Sequence, residues 1–490
     1  MQLDFSGVES YFPGVWEDFP RFLKLPESFW KRPESFWKVP EGLWNLPERF
    51  WKQPEDLWKL PETVRHLPER LQATFHGCRK TFQGLRKLPE RFRKLPEASR
   101  TTFRGFRTSP EAFRQLPQAR IAPLNLAFLM PGVGILNRGA EAFVVELAAA
   151  LAREHGFAVT LYCRGNATVP GVRVERIGAL PRDQRLVNAL YSATRLGRKA
   201  LDTLFLDPLN LEWDTAAFAA FPRLWDGGYD AVVMEGGLVG AWLCRLLRRL
   251  QGVPFVDIAH GNSPKWEGAF ARQRPDRVVA FTETAARMIR ARAPRARIAV
   301  IPHGVDLDLF RPDVAPVSLD LPRPVVLAAG AIDDHKRMHL AVEAVAAMGR
   351  GSLVLLGEGP EAAAVDRLGA RLLPGRYLRS AVPRSAMPSW YTAADCFTLP
   401  SLTESFGLTY LEAMACGLPS VAPDEAVRRE VVGEAGIFCD VTDPTAYAAA
   451  IEAALGRDWG EGPRRRAKRF PVAATVQAYA ELLRSLAHHR

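Results

Sequence analysis

The strongest constraint on the fold is an alternation, from residue 121 onward, of short apolar runs with segments of helical periodicity. The first unit reads LNLAFLM (124–130), then a glycine-containing loop, then AFVVELAAALAREHG, which Gly156 closes. Short runs that are apolar throughout are typical of strands buried on both faces, and helices between such strands are typical of parallel sheets. The chain beyond residue 120 is therefore predicted to be α/β.

The pattern restarts at PVVLAAGA (324–331), after a linker rich in proline and aspartate over 303–322. We therefore expect two Rossmann-like domains facing a cleft, over residues 121–310 and 311–465, and a C-terminal helix over 466–490 that can pack back on the first domain. Ligands of doubly wound sheets bind outside the carboxyl ends of the strands. The loops that follow the strands are thus the expected site.

Residues 1–120 are organised differently, around a seven-residue repeat that begins at Leu25 as LPESFWK, RPESFWK, VPEGLWN and keeps its frame. On a helix the Leu, Pro, Phe and Trp positions share one side, and Glu and Lys fall at i, i+4 on the other. Each interior proline, however, costs a helix about 3 kcal/mol. The alternatives are a string of short helices, one kinked helix held by a surface, or a partly disordered arm.

This repeat arm is basic, with 22 Lys and Arg against 15 Asp and Glu. Trp and then Arg at the sixth repeat position suit the rim of a helix that lies on a membrane. We therefore expect residues 25–120 to bind an anionic membrane surface or a protein partner. Aromatic and basic residues also bind nucleic-acid strands, but the regular glutamates argue against that partner.

Composition excludes several other classes of protein. The six cysteines are scattered, with no pair and no neighbouring histidine at a metal-ligand spacing. The N-terminus lacks the basic and apolar regions of a secretory signal, and no run approaches eighteen uncharged apolar residues. These features predict a cytoplasmic protein without a metal site, peripheral at the inner face of the membrane if the arm binds lipid.

The stretch TESFGLTYLEAMACGLPSVA (403–422) carries the most chemistry. Glu404 and Glu412 stand eight residues apart across a strand-end loop and the start of a helix. The amides of residues 405–408 would lie at a helix N-terminus, which favours a phosphate, and Gly407 permits a close approach. Carboxylates there can accept hydrogen bonds from sugar hydroxyls. The spacing alone fits an ordinary capped helix equally well.

Beyond its spacing, the string resembles the E-x7-E motif of the retaining GT-B glycosyltransferases, specifically glycosyltransferase family 4. PSLTESFGL (400–408) and EAMACGLP (412–419) match the core of the motif. The resemblance implies that Glu404 is catalytic, facing the donor sugar and its phosphates, and that Glu412 holds the nucleotide ribose. VIPHGVDLDLFRP (300–312) and LVLLGEGPE (353–361) resemble further family motifs in the expected order.

The resemblance also implies a donor-binding set that follows the strands of the second domain: Lys336, Arg337, Gly357, Val382, Ser405, Phe406, Gly407, Leu408 and Glu412. Lys336 occupies the position of the family's phosphate-binding lysine. The sequence departs from the family at Ala331, where an arginine partner of that lysine is usual. We expect the adjacent Arg337 to supply the missing cation.

In the first domain, His260 follows the strand VPFVDIA where the family often has a histidine beside the donor sugar. The resemblance implies a catalytic role for it, as a hydrogen-bond partner rather than a strong base. Gly134 and Gly139 belong to the loop after the first strand, but NRG (137–139) stands where the family often has a Gly-Gly pair. No metal and no cofactor other than the donor is expected.

The implied function is transfer of a sugar, with retention, from a nucleotide-diphosphate sugar to a carbohydrate or lipid-linked acceptor, in polysaccharide or glycolipid assembly. The alternative is a non-catalytic scaffold, in which a degenerate GT-B domain carries the repeat arm. The departure at Ala331 favours the scaffold, whereas the joint presence of Lys336, Glu404 and Glu412 favours the enzyme.

Overall fold

The computed structural model describes residues 123–136, 138–182, 207–261 and 263–487. The repeat arm of residues 1–120 lies outside the described residues, so its conformation stays a prediction. The described chain forms two parallel α/β sheets, which confirms the predicted fold class.

The first domain begins with a strand, and in its described part strands and helices then alternate along the chain, apart from one pair of consecutive strands. Its strands are β1 (Asn125–Leu129), β2 (Ala158–Cys163), β3 (Val172–Arg176), β4 (Ala231–Met234), β5 (Phe255–Ile258), β6 (Arg277–Ala280) and β7 (Ile298–Val300). Its helices are α1 (Gly139–His155), α2 (Pro208–Asp226), α3 (Leu238–Gln251), α4 (Pro264–Ala271) and α5 (Glu283–Arg292). The central strands are buried along nearly their whole length, as their apolar sequences require.

The second domain repeats the arrangement. Its strands are β8 (Val325–Ala329), β9 (Ser352–Leu356), β10 (Tyr377–Ser380), β11 (Cys396–Thr398), β12 (Ser420–Pro423) and β13 (Gly436–Cys439). Its helices are α6 (Met338–Ala347), α7 (Ala362–Leu372), α8 (Met387–Ala393), α9 (Leu408–Ala415), α10 (Ala426–Val432), α11 (Pro444–Leu455) and α12 (Gly462–Ala467), with 3-10 turns at Arg384–Ala386 and Gly433–Ala435. The last described helix is α13 (Val472–Ala487).

Strand order fixes where a ligand can bind. The first sheet runs β3-β2-β1-β4-β5-β6-β7 and the second β10-β9-β8-β11-β12-β13, with every pair parallel. In each sheet the winding reverses beside its first strand, between β1 and β4 or between β8 and β11. At such a point the two connections lead to opposite faces of the sheet and leave a crevice at the carboxyl ends of the strands.

Polar contacts and the last helix join the two sheets. The Glu430 carboxylate of α10 accepts hydrogen bonds from the backbone N–H groups of Glu283 (2.6 Å) and Thr284 (3.0 Å) at the start of α5. Helix α13 packs on α1, and its Thr475 hydroxyl donates to the Pro302 carbonyl at 2.9 Å. The exact bounds of the domains stay a prediction.

None of the helices in the described ranges combines the length and the apolar character that a membrane span requires.

Two glycines let neighbouring strand ends approach closely in the second domain. A Cβ placed on Gly357, after β9, would overlap the carbonyl oxygen of Gly330, after β8. Gly357 also has a φ of 153°, a backbone conformation that side chains rarely adopt. Glycine at position 357 therefore has a structural reason that is separate from any contact with a ligand.

We predict that Gly357→Ala destabilises the fold by about 1–3 kcal/mol, because the backbone at Gly330, at the end of the neighbouring strand β8, would have to move. Urea unfolding of the full chain measures the change in free energy. Gly462→Ala is the matched control, since a Cβ there has nothing within 4 Å and should change stability by at most a few tenths of a kcal/mol. Equal stability of the two variants would contradict the close approach.

Candidate active site

The centre of the candidate site is an ion pair across the point where the second sheet reverses its winding. Lys336 lies in the loop after β8 and Glu404 in the loop after β11, and Lys336 Nζ is 2.5 Å from Glu404 Oε1. The Lys336 side chain is 25% exposed and that of Glu404 is 10% exposed. Two residues 68 positions apart in the sequence thus meet at the edge where such sheets bind ligands.

Two arginines hold the loop that carries Glu404 in place through hydrogen bonds to its first residues. Arg337 donates from Nε to the Pro400 carbonyl at 2.9 Å and from Nη2 to the Ser401 carbonyl at 3.3 Å. The fully buried Arg428 donates from Nη2 to the same carbonyl at 2.9 Å and to the Ser401 hydroxyl at 2.8 Å. In this arrangement Arg337 braces the loop, and its expected contact with a diphosphate stays a prediction.

The loop leads into helix α9, whose start lies beside the ion pair. Gly407 caps the helix in the left-handed conformation, with a φ of 94°. Phe406 is buried, whereas Ser405 and Leu408 are half-buried. Because the first N–H groups of a helix have no partner within the helix, an anion can be bound here.

The loop after β1 in the first domain reaches the same place. A Cβ on Gly139, the first residue of α1, would lie 3.9 Å from Leu408 Cδ1, the first residue of α9. The starts of two helices from different domains therefore face each other across the cleft. Gly134, in the same loop, has a φ of 78° and packs against Gly165.

Glu412 lies one turn into α9 and is 5% exposed. Its Oε2 accepts a hydrogen bond from the Tyr391 hydroxyl at 3.0 Å, and its Oε1 is 3.1 Å from Nη2 of Arg384. Burial raises the pKa of Glu412, and the Arg384 guanidinium opposes that shift. Both oxygens of the predicted ribose ligand are therefore engaged.

The two remaining predicted donor contacts lie in loops along the same edge. Gly357 follows β9, and its N–H donates to the Ser380 carbonyl at 2.9 Å. Val382 follows β10, half-buried against the core. Their expected contacts with the base and the sugar stay predictions.

His260, at the end of β5, belongs to an aromatic cluster between the domains. Its ring lies 5.5 Å from Phe143, 5.0 Å from Phe281 and 5.8 Å from His303, measured between centroids. His303 in turn lies 5.4 Å from Phe406 of the loop before α9. A continuous contact of rings thus connects the predicted histidine with the predicted donor loop.

Burial keeps His260 uncharged, because it lowers the pKa of the imidazole to about 3. The Nε2 atom is buried and finds no hydrogen-bond partner among the described residues. At neutral pH the Nε2 atom of the ring can therefore form one hydrogen bond with a substrate, but the ring is a weak base. The same holds for His303, whose pKa burial also lowers.

Buried and half-buried acids lie at the carboxyl edge of the first sheet and its adjoining helices. Burial raises the pKa of each: Glu141, Glu235, Asp257 and Glu267. For Asp257 the pKa rises to about 7, because burial outweighs the opposing effect of the Gly236 backbone N–H. This set was not anticipated from the sequence.

Within the described ranges, no group of three or more His, Cys, Asp or Glu side chains is arranged to hold a metal ion.

Sequence reasoning also missed the residues that support the predicted ones. His303 stands inside the motif VIPHG and could have been found there. Arg384, Tyr391 and Arg428 carry no local signal for these roles, because the site residues that they contact are 21 to 238 positions away along the chain. Arg428 has one nearby partner as well, Glu425.

Two Rossmann-like domains whose carboxyl edges meet at these residues define a glycosyltransferase of the GT-B class. Residues 137–309 match the family model described as "Glycosyltransferase Family 4", and residues 323–457 match "Glycosyl transferases group 1". A D-inositol 3-phosphate glycosyltransferase from Geodermatophilus obscurus is 31% identical over 399 residues, or 71% of this chain and 84% of the relative. The chain belongs to glycosyltransferase family 4.

Further similar proteins agree with this assignment. A D-inositol 3-phosphate glycosyltransferase from Xylanimonas cellulosilytica is 29% identical, over 72% of this chain and 93% of the relative. Among solved structures, sucrose-phosphate synthase from Thermosynechococcus elongatus superposes with a TM-score of 0.62 at 22% identity, over 75% of this chain and 100% of that one. Anabaena HepE in complex with UDP-glucose gives 0.55 at 18% identity, over 74% and 100%.

We predict that His260→Gln makes the free energy of unfolding less sensitive to acid. An unfolded histidine binds a proton below about pH 6.5, whereas His260, which is half-buried and has an enclosed Nε2, does so only near its lowered pKa of about 3. As the pH falls between these values, the extra proton bound by the unfolded chain destabilises the wild type by up to about 1.4 kcal/mol per pH unit. Urea unfolding from about pH 7 to about pH 5 measures the effect.

The difference in stability between wild type and His260→Gln should therefore shrink as the pH falls. The buried carboxyls contribute equally to both proteins and cancel in this difference. His339→Gln is the control, because His339 is exposed on α6. A difference for His260→Gln that stays constant with pH would contradict the burial of a neutral imidazole.

Proposed function

We propose that this glycosyltransferase moves a sugar from a nucleoside diphosphate sugar to a hydroxyl group of an acceptor, with retention at the anomeric carbon. The observation that carries the proposal is the ion pair of Lys336 and Glu404 at the winding reversal of the second sheet. A cation and the start of a helix there offer charge to a diphosphate, and a carboxylate offers hydrogen-bond acceptors to a sugar.

Solved relatives support a nucleotide sugar as donor. Anabaena HepE, which shares the fold, is known in complex with UDP-glucose. In our proposal the diphosphate binds Lys336 and the first amides of α9. Glu404 then leaves Lys336 and accepts hydrogen bonds from hydroxyls of the sugar. Glu412 accepts from the ribose.

The transfer balances without a cofactor or a metal ion. The bond between the anomeric carbon and the diphosphate oxygen breaks, and the acceptor oxygen bonds to the same face of that carbon. The acceptor proton passes to the departing phosphate, so that no strong protein base is needed. Lys336 and the helix start stabilise the charge on the leaving diphosphate. His260 contributes a hydrogen bond from a neutral ring.

The acceptor binds the first domain in this proposal, and it is a carbohydrate or a lipid-linked carbohydrate. Transfer to such acceptors serves polysaccharide or glycolipid assembly. The relatives named D-inositol 3-phosphate glycosyltransferase support a polyhydroxylated acceptor.

We predict that Glu404→Gln and Lys336→Ala each lower sugar transfer, or donor hydrolysis in the absence of acceptor, by about 100-fold or more. Lys336→Ala removes the cation that faces the diphosphate, and Glu404→Gln removes the charge that accepts from the sugar. Release of nucleoside diphosphate from a panel of nucleotide sugars measures both.

Glu452→Gln is the matched control, because Glu452 pairs with Arg350 in the same domain without contacting the site residues. The control should keep its activity, and all variants should unfold at similar temperatures. If the wild type neither binds nor hydrolyses any nucleotide sugar of the panel, the chain is a scaffold with a degenerate domain.

We further propose that the repeat arm binds the inner face of the membrane from the cytoplasm. We predict that the full chain sediments with vesicles containing anionic lipid at low salt, and that a chain lacking residues 1–120 does so less. Salt should weaken the binding, because the arm carries a basic excess. Equal sedimentation of both chains, or none by the full chain, would contradict the proposal and favour a protein partner for the arm.

A further inference from the structure

A single guanidinium joins the two domains at the predicted ribose ligand. Arg384 begins the 3-10 turn after β10, and its side chain lies between two carboxylates. Nη1 is 3.0 Å from Oε1 of Glu146, which belongs to α1 of the first domain. Nη2 is 3.1 Å from Oε1 of Glu412 in α9 of the second domain.

The two carboxylates depend on Arg384 to different degrees. The Glu412 side chain is 7% exposed, whereas that of Glu146 is 47% exposed and retains contact with water. Glu412 has one further partner in the described structure, the neutral hydroxyl of Tyr391. A buried carboxylate without a cation becomes protonated or turns away. The ionised state and the direction of Glu412 therefore depend chiefly on Arg384.

Arg384 is itself held from two sides. Its guanidinium carbon lies 5.8 Å from the ring centroid of Phe310, in the linker between the domains. Glu146 binds it from the first domain. The planar guanidinium has five N–H donors in a fixed fork, so binding one carboxylate restricts the direction in which it can bind the other.

We propose that Arg384 is the positioning residue that orients Glu412 toward the donor ribose, and that Glu146 makes this recognition depend on the first domain. The inference rests on the proposed function, because it takes Glu412 as the ribose ligand. It adds that Glu146, a residue of the first domain that touches no nucleotide in this proposal, helps the protein to distinguish a ribose from a sugar without the ribose hydroxyls. Glu146 does so through the Arg384 guanidinium that it shares with Glu412.

The test compares binding of ribonucleoside diphosphates with binding of their 2′,3′-dideoxy counterparts to the full chain. Titration calorimetry with UDP, GDP and ADP first identifies the nucleotide that binds. The ratio of the dissociation constants for the dideoxy and ribose forms then reports recognition of the hydroxyls alone. A general loss of folding or of diphosphate binding changes both constants and leaves this ratio unchanged.

We expect Arg384→Gln to lower this ratio at least about tenfold, which is the value of one hydrogen bond to a charged group. Glu146→Gln should lower it by a smaller factor, and Arg384→Lys should keep part of the discrimination. Glu154→Gln is the control for Glu146, since it removes an exposed ion pair from the same helix. Arg350→Gln is the control for Arg384, since it breaks an exposed ion pair in the same domain.

An unchanged ratio in Arg384→Gln, with the dideoxy and ribose forms weakened equally, would overturn the positioning role. An unchanged ratio in Glu146→Gln would overturn the part played by the first domain. Should Arg384→Gln not fold, Arg384→Lys and Glu146→Gln answer the same questions. If the wild type binds no nucleoside diphosphate, the proposed function itself fails and the inference fails with it. If it binds both forms equally, the inference fails together with the proposed contact of Glu412 with the ribose, whereas the proposed sugar transfer stands.

Discussion

A parallel sheet covered by helices on both faces has to reverse its winding once, and the candidate site exists because of that requirement. At the reversal, neighbouring strands send their connections to opposite faces, and a crevice opens at the carboxyl ends. In the second sheet the loops after β8 and β11 border this crevice, and they bring Lys336 to Glu404. The first sheet presents His260 and its buried acids along the same kind of edge.

The crevice can hold charged groups in fixed positions because the surrounding loops are rigidly supported. Arg337 and Arg428 donate hydrogen bonds to the Pro400 and Ser401 carbonyls of the loop that carries Glu404, so these two carbonyls are satisfied by the protein itself. Such support holds groups in place before a substrate arrives, and groups held in this way stabilise developing charge without reorganising. Glu430 and Arg384 make contacts between the two domains, and these contacts hold side chains in place across the cleft in the same way.

The accuracy of prediction from the sequence followed the burial of each element. Strands buried on both faces, such as β1 and β8, are continuous apolar runs and were predicted at nearly their observed positions. The edge strand β3, VRVER, is half-exposed and charged, so its sequence does not differ from that of a polar loop. Lys336 and Glu404 were found through a family resemblance, whereas Arg384 and Arg428 were not, because an arginine has no local pattern that reveals a distant partner.

The sequence by itself determined the α/β class and the two cycles of strands and helices, and through a family resemblance it predicted the donor-binding residues. These follow from periodicity and from short motifs, which act over a few residues. Only the tertiary structure decided which polar groups meet. Lys336 pairs with Glu404, Arg337 donates to the Pro400 carbonyl, and Arg384 joins Glu146 to Glu412. The physical reason is that a long side chain binds whichever carboxylate or carbonyl the fold brings within its reach, and that neighbour is set by the packing of strands and domains.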